Sequence, residues 1–174
     1  MAVLTKKEYK NFIKAELKIT NVKVRRWLKW HPEGDQGYEA FIEARRVSIP
    51  IPECEWSFLV GLHEIGHVST GERLYSYLME YNAEKWAIRR AKESYGIICP
   101  DYEEDAKNYV KDHLIQNLVF SDLRLKKVKP YVLEWIGETQ SSLAKTIQKK
   151  LKDGSIETDG FCVDLKYWKE VGDC

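Results

Sequence analysis

The chain has 174 residues, enough for one domain that buries a substantial core without cross-links. Its 28 basic and 27 acidic residues give a formal net charge of +1, which argues against a surface built for nucleic acid or an anionic membrane. Residues 1–10 lack the apolar core of a signal peptide and no stretch is apolar enough to span a bilayer, so we expect a soluble, cytoplasmic protein.

The first fifty residues predict one helix followed by three short strands. Thr5 has the position of a helix N-cap, and apolar residues at helical spacing predict a helix over residues 6–18. Alternating side chains predict a strand over residues 21–30. After a turn at residues 31–35, two more strands are predicted at residues 38–44 and 47–51. We expect the three strands to form a small antiparallel sheet.

The third predicted strand contains prolines at its end. Because Pro50 and Pro52 cannot donate a hydrogen bond to a neighbouring strand, this strand is predicted at a sheet edge. Such an edge could receive an extended peptide substrate by strand addition. The alternative is that the prolines only protect the edge from aggregation.

Residues 56–68 predict a helix that carries His63, Glu64 and His67. Residues four apart lie on the same face of a helix, so the two imidazoles can bind one metal ion while Glu64 reaches a water on it. Catalytic zinc uses three protein ligands and lowers the pKa of its water to about 7. Glu64 would be the general base. An apolar stripe beside the histidines indicates a half-buried helix, which favours a zinc site over two solvated histidines.

The third ligand is expected on the next predicted helix, residues 74–91, because Arg73 stands where a third histidine would follow the motif. Glu80 and Glu84 share a face of that helix. One of them would bind zinc while the other accepts the second N–H of a ligating histidine, and the spacing leaves open which does which. Small residues on this helix would let the two helices approach closely; they are Ala83, Ala87 and Ala91.

The pentapeptide at residues 63–67 and the following helix, with Glu80, Ala83, Trp86 and Ala87, resemble gluzincin-type zinc metallopeptidases of the ImmA/IrrE class, common in phages and mobile elements. The resemblance implies an α+β, zincin-like fold in which a small sheet packs on the motif helix and on a second, ligand-bearing helix. It further implies a protein substrate, such as a transcriptional regulator. Carried over by position, it gives zinc ligands His63, His67 and Glu80, the catalytic base Glu64, and Glu84 as the acid behind the ligands.

Residues 100–119 predict a helix that carries Tyr109 and His113. These two residues and Tyr81 are candidates to stabilise an oxyanion, although a lone histidine on a helix is more often structural or solvated. A basic cluster before Pro130 predicts a boundary between a peptidase core, residues 1–125, and a helical C-terminal extension, residues 126–174. The extension is expected to cover the core or bind a partner protein through its aromatic and apolar residues, which include Trp135, Phe161, Leu165 and Trp168.

Two functional hypotheses follow, and they belong to different classes. The first is a zinc-dependent metallopeptidase that hydrolyses peptide bonds in a specific protein substrate. The second is a non-catalytic, zinc-containing regulatory module, such as a phage-type inhibitor of a host protein. A purely structural protein with a chance motif would bind no metal. DNA binding is disfavoured because the charge is balanced.

Overall fold

The structure, a computed structural model, describes residues 4–32 and 37–156. The chain divides into two compact units, residues 1–106 and 107–174. The boundary predicted after residue 125 stays a prediction, and Phe161, Leu165 and Trp168 lie outside the described residues. No helix in the described ranges combines the length and apolar character needed to cross a membrane.

The fold is α+β and mostly helical, as expected from the sequence. The first unit contains α1 (Lys6–Ile19), β1 (Lys23–Leu28), β2 (Glu39–Phe41), β3 (Arg46–Pro50), α2 (Glu55–Thr70) and α3 (Ser76–Tyr95). Helix α4 (Pro100–Phe120) contains the division between the units. A short 3-10 turn (Leu125–Lys127), α5 (Pro130–Trp135) and α6 (Gln140–Lys152) follow in the second unit. The predicted helices and strands are confirmed, with ends shifted by a few residues.

The three strands form a mixed sheet in the order β1-β3-β2. Strand β3 pairs antiparallel with β2, as predicted, but parallel with β1, so the fully antiparallel prediction is wrong. Burial explains the order. Val47 and Ile49 of β3 are completely buried, whereas β1 exposes most of its side chains. The most apolar strand therefore takes the centre, where neighbours on both sides cover it.

The prediction that β3 lies at a sheet edge is also wrong, and the pairing shows why a central strand tolerates Pro50. The Ile51 N–H donates to the Leu28 carbonyl of β1 over 2.7 Å. Because successive N–H groups of a strand point to opposite sides, the Pro50 nitrogen faces the β2 side. Strand β2 pairs only with Arg46–Ser48, so it ends before Pro50 and no ladder hydrogen bond is lost.

Helix α2 packs against both β3 and α3, and its contact with α3 is unusually close. A Cβ atom added at Gly66 would lie 2.8 Å from the Ala83 carbonyl oxygen of α3. Ala83, Ala87 and Ala91 are fully buried, as expected for small residues that let the helices approach. This approach brings the acidic face of α3 against the histidine face of α2.

In the second unit, the described helices are held by apolar packing and by ion pairs. Leu114 of α4 and Ile147 of α6 are completely buried. The Lys150 ammonium lies 3.0 Å from a carboxylate oxygen of Asp112, and Lys111 forms an ion pair with Glu138. Thr139 caps α6 by accepting a hydrogen bond from the Ser142 N–H over 3.1 Å.

Candidate metal centre

Three side-chain atoms from α2 and α3 converge at one point. His63 and His67 lie on one face of α2, and their Nε2 atoms are 3.0 Å apart. The Oε2 atom of Glu80, on α3, lies 3.3 Å from Nε2 of His63 and 3.2 Å from Nε2 of His67. All three residues are 9% exposed or less. They form a buried triangle of two imidazole nitrogens and one carboxylate oxygen.

The size and donor set of this triangle fit a metal ion. An ion bound tetrahedrally at 2.0–2.1 Å keeps its ligand atoms about 3.3 Å apart, close to the observed separations. Oε2 of Glu80 is buried and accepts no hydrogen bond of good geometry from the described residues, which is rare for a buried carboxylate oxygen. His63, His67 and Glu80 together could therefore hold a metal ion.

The charges around the triangle also favour a cation. Burial lowers the pKa of His63, but the charge of Glu84 and close contacts with Glu80 and Glu84 outweigh it, so this pKa is raised well above its usual value. Burial raises the pKa of Glu80, yet its contacts with His63 and His67 hold the pKa well below the usual range. The same negative charges that favour a proton on His63 favour a metal cation.

Glu84 lies behind His63, one helical turn from Glu80. Its Oε1 atom is 3.0 Å from Nδ1 of His63, and its Oε2 atom accepts a hydrogen bond from the Tyr102 hydroxyl over 3.0 Å. Burial and the charge of Glu84 raise the pKa of Tyr102 well above its usual value, so the phenol keeps its proton. Trp56 packs on the Tyr102 ring, with centroids 5.3 Å apart. Tyr102, Glu84 and His63 thus form a connected chain.

No local pattern in the sequence indicated this contact of Tyr102. Tyr102 lies 18 residues after Glu84 on a different helix, so no local spacing connects them. The sequence also gave no role to Gly66, although a glycine inside a helix is costly and often marks a close approach. Gly66 was therefore the residue in the sequence that could have indicated the close contact between α2 and α3.

Glu64 is buried at 8% exposure and follows His63 directly on α2. Its negative charge contributes to the raised pKa of His63 and to that of Tyr102.

The three predicted oxyanion residues are divided between the two units. Tyr81 is half-buried on α3, next to Glu80. Tyr109 and His113 belong to the second unit, where their rings meet edge to face with centroids 4.7 Å apart. An oxyanion role for any of the three stays a prediction.

Comparisons of the chain with known proteins give no relative. No protein-family model, no curated protein and no solved structure matches it. The likeness to the ImmA/IrrE class therefore depends on the motif residues alone.

Proposed function

We propose that this protein is a zinc-dependent metallopeptidase, zincin-like in fold, that hydrolyses peptide bonds in a specific protein substrate. The observation that carries the proposal is the convergence of His63 Nε2, His67 Nε2 and Glu80 Oε2 beside a buried Glu64. Two imidazoles and one carboxylate are a ligand set of catalytic zinc in peptidases. The likeness of the motif to the ImmA/IrrE class supports the same activity and favours a transcriptional regulator as the substrate.

In this proposal His63, His67 and Glu80 would hold a zinc ion, which would supply Lewis-acid chemistry and lower the pKa of a water to about 7. Glu64 then accepts a proton from the attacking water on a carboxylate oxygen. It holds that proton until the peptide bond breaks and donates it to the leaving amine.

Glu84 and Tyr102 act through His63. A carboxylate at Nδ1 favours the proton on that nitrogen, which would leave the Nε2 lone pair available to a metal ion. The Tyr102 hydroxyl fixes the Glu84 carboxylate in that position. Both are positioning residues.

The test uses Glu64→Gln, which keeps the shape of the side chain but cannot accept the proton. Zinc-loaded wild type and variant are incubated with the same library of proteome-derived peptides, and new N-termini are identified by mass spectrometry. We expect the variant to retain zinc and to cleave about 10²–10⁴-fold more slowly. Equal cleavage by both proteins contradicts the role of Glu64. Retained zinc with no cleavage of the library or of any candidate regulator by the wild type favours the non-catalytic module.

A further inference from the structure

A concave site lies where the C-terminal end of α2 meets α3. It is a groove of about 680 Å³, within the roughly 300–1,000 Å³ typical of ligand sites. Its walls come from the C-terminal end of α2, with Ser69 and Thr70, from Arg73, and from a face of α3 that includes Asn82 and Trp86. His63, His67 and Glu80 do not line it. The groove is therefore a feature separate from the metal centre.

The groove carries a surplus of positive charge. It is lined by four basic residues, Arg73, Lys85, Arg89 and Lys92, and by two carboxylates, Glu93 and Glu103. Lys85, Arg89 and Lys92 follow at spacings of four and three on α3, so like charges share one helix face and repel. Arg89 and Lys92 are exposed and form no ion pair within the described part of the chain. A bound anion would relieve this repulsion.

The α2 end of the groove offers hydrogen-bond acceptors. The Ser69 hydroxyl donates to the Ile65 carbonyl over 2.8 Å, and the Thr70 hydroxyl donates to the Gly66 carbonyl over 2.9 Å. Because these protons are committed to the helix, only the lone pairs of the two oxygens face a ligand. The groove therefore suits a ligand that brings N–H donors as well as negative charge.

A peptide segment with Asp or Glu residues has both properties. Its backbone N–H groups can reach Ser69 and Thr70, while its carboxylates reach the cations of α3. The sugar–phosphate backbone of a nucleic acid has the negative charge but no N–H donor for the oxygens of Ser69 and Thr70. The half-buried Trp86 ring offers a surface for an apolar side chain of the peptide.

We propose that this groove binds an acidic segment of a protein, and that it is a second recognition site for the substrate. That the bound protein is the substrate rests on the proposed peptidase function; binding of an acidic segment does not. The helices that line the groove also hold the candidate metal ligands. A protein held by the groove is thus tethered to the same helix pair.

The test measures binding by fluorescence anisotropy, without added zinc. The probe is a short fluorescein-labelled peptide of Glu, Leu and Gly, compared with the same peptide carrying Gln for Glu and with labelled oligo-dT. The variant Arg89→Glu/Lys92→Glu reverses two exposed charges of the groove. Its control, Lys10→Glu/Lys14→Glu, makes the same charge change on exposed positions of α1. Circular dichroism checks that both variants fold.

We expect the Glu peptide to bind the wild type and the α1 control equally, and the groove variant at least about tenfold more weakly. Arg89→Gln/Lys92→Gln should lose part of the affinity. The Gln peptide should bind weakly to every protein. No binding by the wild type, equal loss in both charge-reversal variants, or tighter binding of oligo-dT overturns the proposal. Since no zinc or cleavage enters the measurement, failure of the peptidase proposal leaves this result unchanged.

Discussion

Helix α3 takes part in two buried polar clusters that are built differently. Near its C-terminal end, Arg90 and Tyr95 bind the fully buried Glu16 of α1. Arg90 donates to one Glu16 oxygen over 3.1 Å and to the other over 2.5 Å, and the Tyr95 hydroxyl also donates over 2.5 Å. Near the N-terminal end of α3, Glu80 instead approaches two imidazole nitrogens that lie 3.0 Å from each other.

The difference between the clusters separates a structural role from a functional one. In the Glu16 cluster both carboxylate oxygens accept hydrogen bonds from donors, so the protein satisfies the buried charge by itself. In the histidine cluster, three atoms that can all donate a lone pair face the same point. Protons or a cation must hold them together. We infer that the first cluster fastens α1 to α3 and that the second is prepared for a metal ion.

The largest expected effect on stability is at the Glu16 cluster. Arg90→Met should lower the free energy of unfolding by about 3–5 kcal/mol, because it leaves the buried Glu16 charge without its cation. Zinc content should not change. Arg89→Met, next to it and exposed, is the control and should change stability by less than about 0.5 kcal/mol. Urea unfolding measures both, and equal stability of the two variants would contradict the structural role.

Gly66→Ala should affect the histidine cluster through the packing of its two helices. The new methyl group would lie 2.8 Å from the Ala83 carbonyl, so α2 and α3 must separate at a cost of about 2–3 kcal/mol, and zinc content should fall. Gly61→Ala is the control on the same helix. Its methyl group meets only the end of the Ile13 side chain, at 3.2 Å. The measurements are urea unfolding and zinc content of the two variants. Equal losses of stability and of zinc in both variants would contradict the explanation by close helix contact at Gly66.

Glu84→Gln should weaken the metal site while leaving most of the stability intact. Losing the carboxylate behind His63 should reduce zinc affinity about 10–100-fold, measured by competition with a chromophoric chelator. Tyr102→Phe acts one step further away and should reduce affinity by less. If neither variant changes zinc affinity while Glu80→Gln does, Glu84 and Tyr102 have no role in zinc binding.

The smallest effect concerns alkaline pH. Burial and the hydrogen bond to Glu16 raise the pKa of Tyr95 above its usual value, although Arg90 acts in the opposite direction. Because its pKa is raised in the folded state, the protonated Tyr95 hydroxyl stabilises the fold. This stabilisation is complete below the unfolded pKa of about 10 and is lost as pH rises towards the folded pKa. Tyr95→Phe should therefore lose less stability than the wild type between pH 9 and pH 11, as measured by urea unfolding at each pH. Parallel loss in both proteins would contradict this assignment.

The parts of the site that could be predicted from the sequence depend on short spacings. His63 and His67, and likewise Glu80 and Glu84, are four residues apart, so helix geometry alone puts each pair on one face. The small residues of α3 indicated that two helices meet. By contrast, Tyr102 reaches Glu84 across 18 residues and Arg90 reaches Glu16 across 74. Such contacts depend on how the helices dock, which no local period encodes.

The sheet shows the same limit. The alternation of apolar and polar side chains located the strands. The order of the strands depends instead on which strand is buried most, and the burial of β3 results from its packing against α2 and both neighbouring strands. The edge prediction for Pro50 failed for a related reason. A proline is unfavourable in a strand only where a neighbouring strand would accept a hydrogen bond from its N–H. At Pro50 no strand lies on that side, because β2 is only three residues long and ends earlier.

The measurement that tests the central claim most directly is the metal content of wild type and His63→Ala, purified side by side without added metal and analysed for all transition elements. We predict about one zinc ion per wild-type chain and almost none in the variant, with both proteins folded by circular dichroism. No zinc in the wild type even after reconstitution, or equal zinc in both proteins, would contradict a metal centre built from His63, His67 and Glu80.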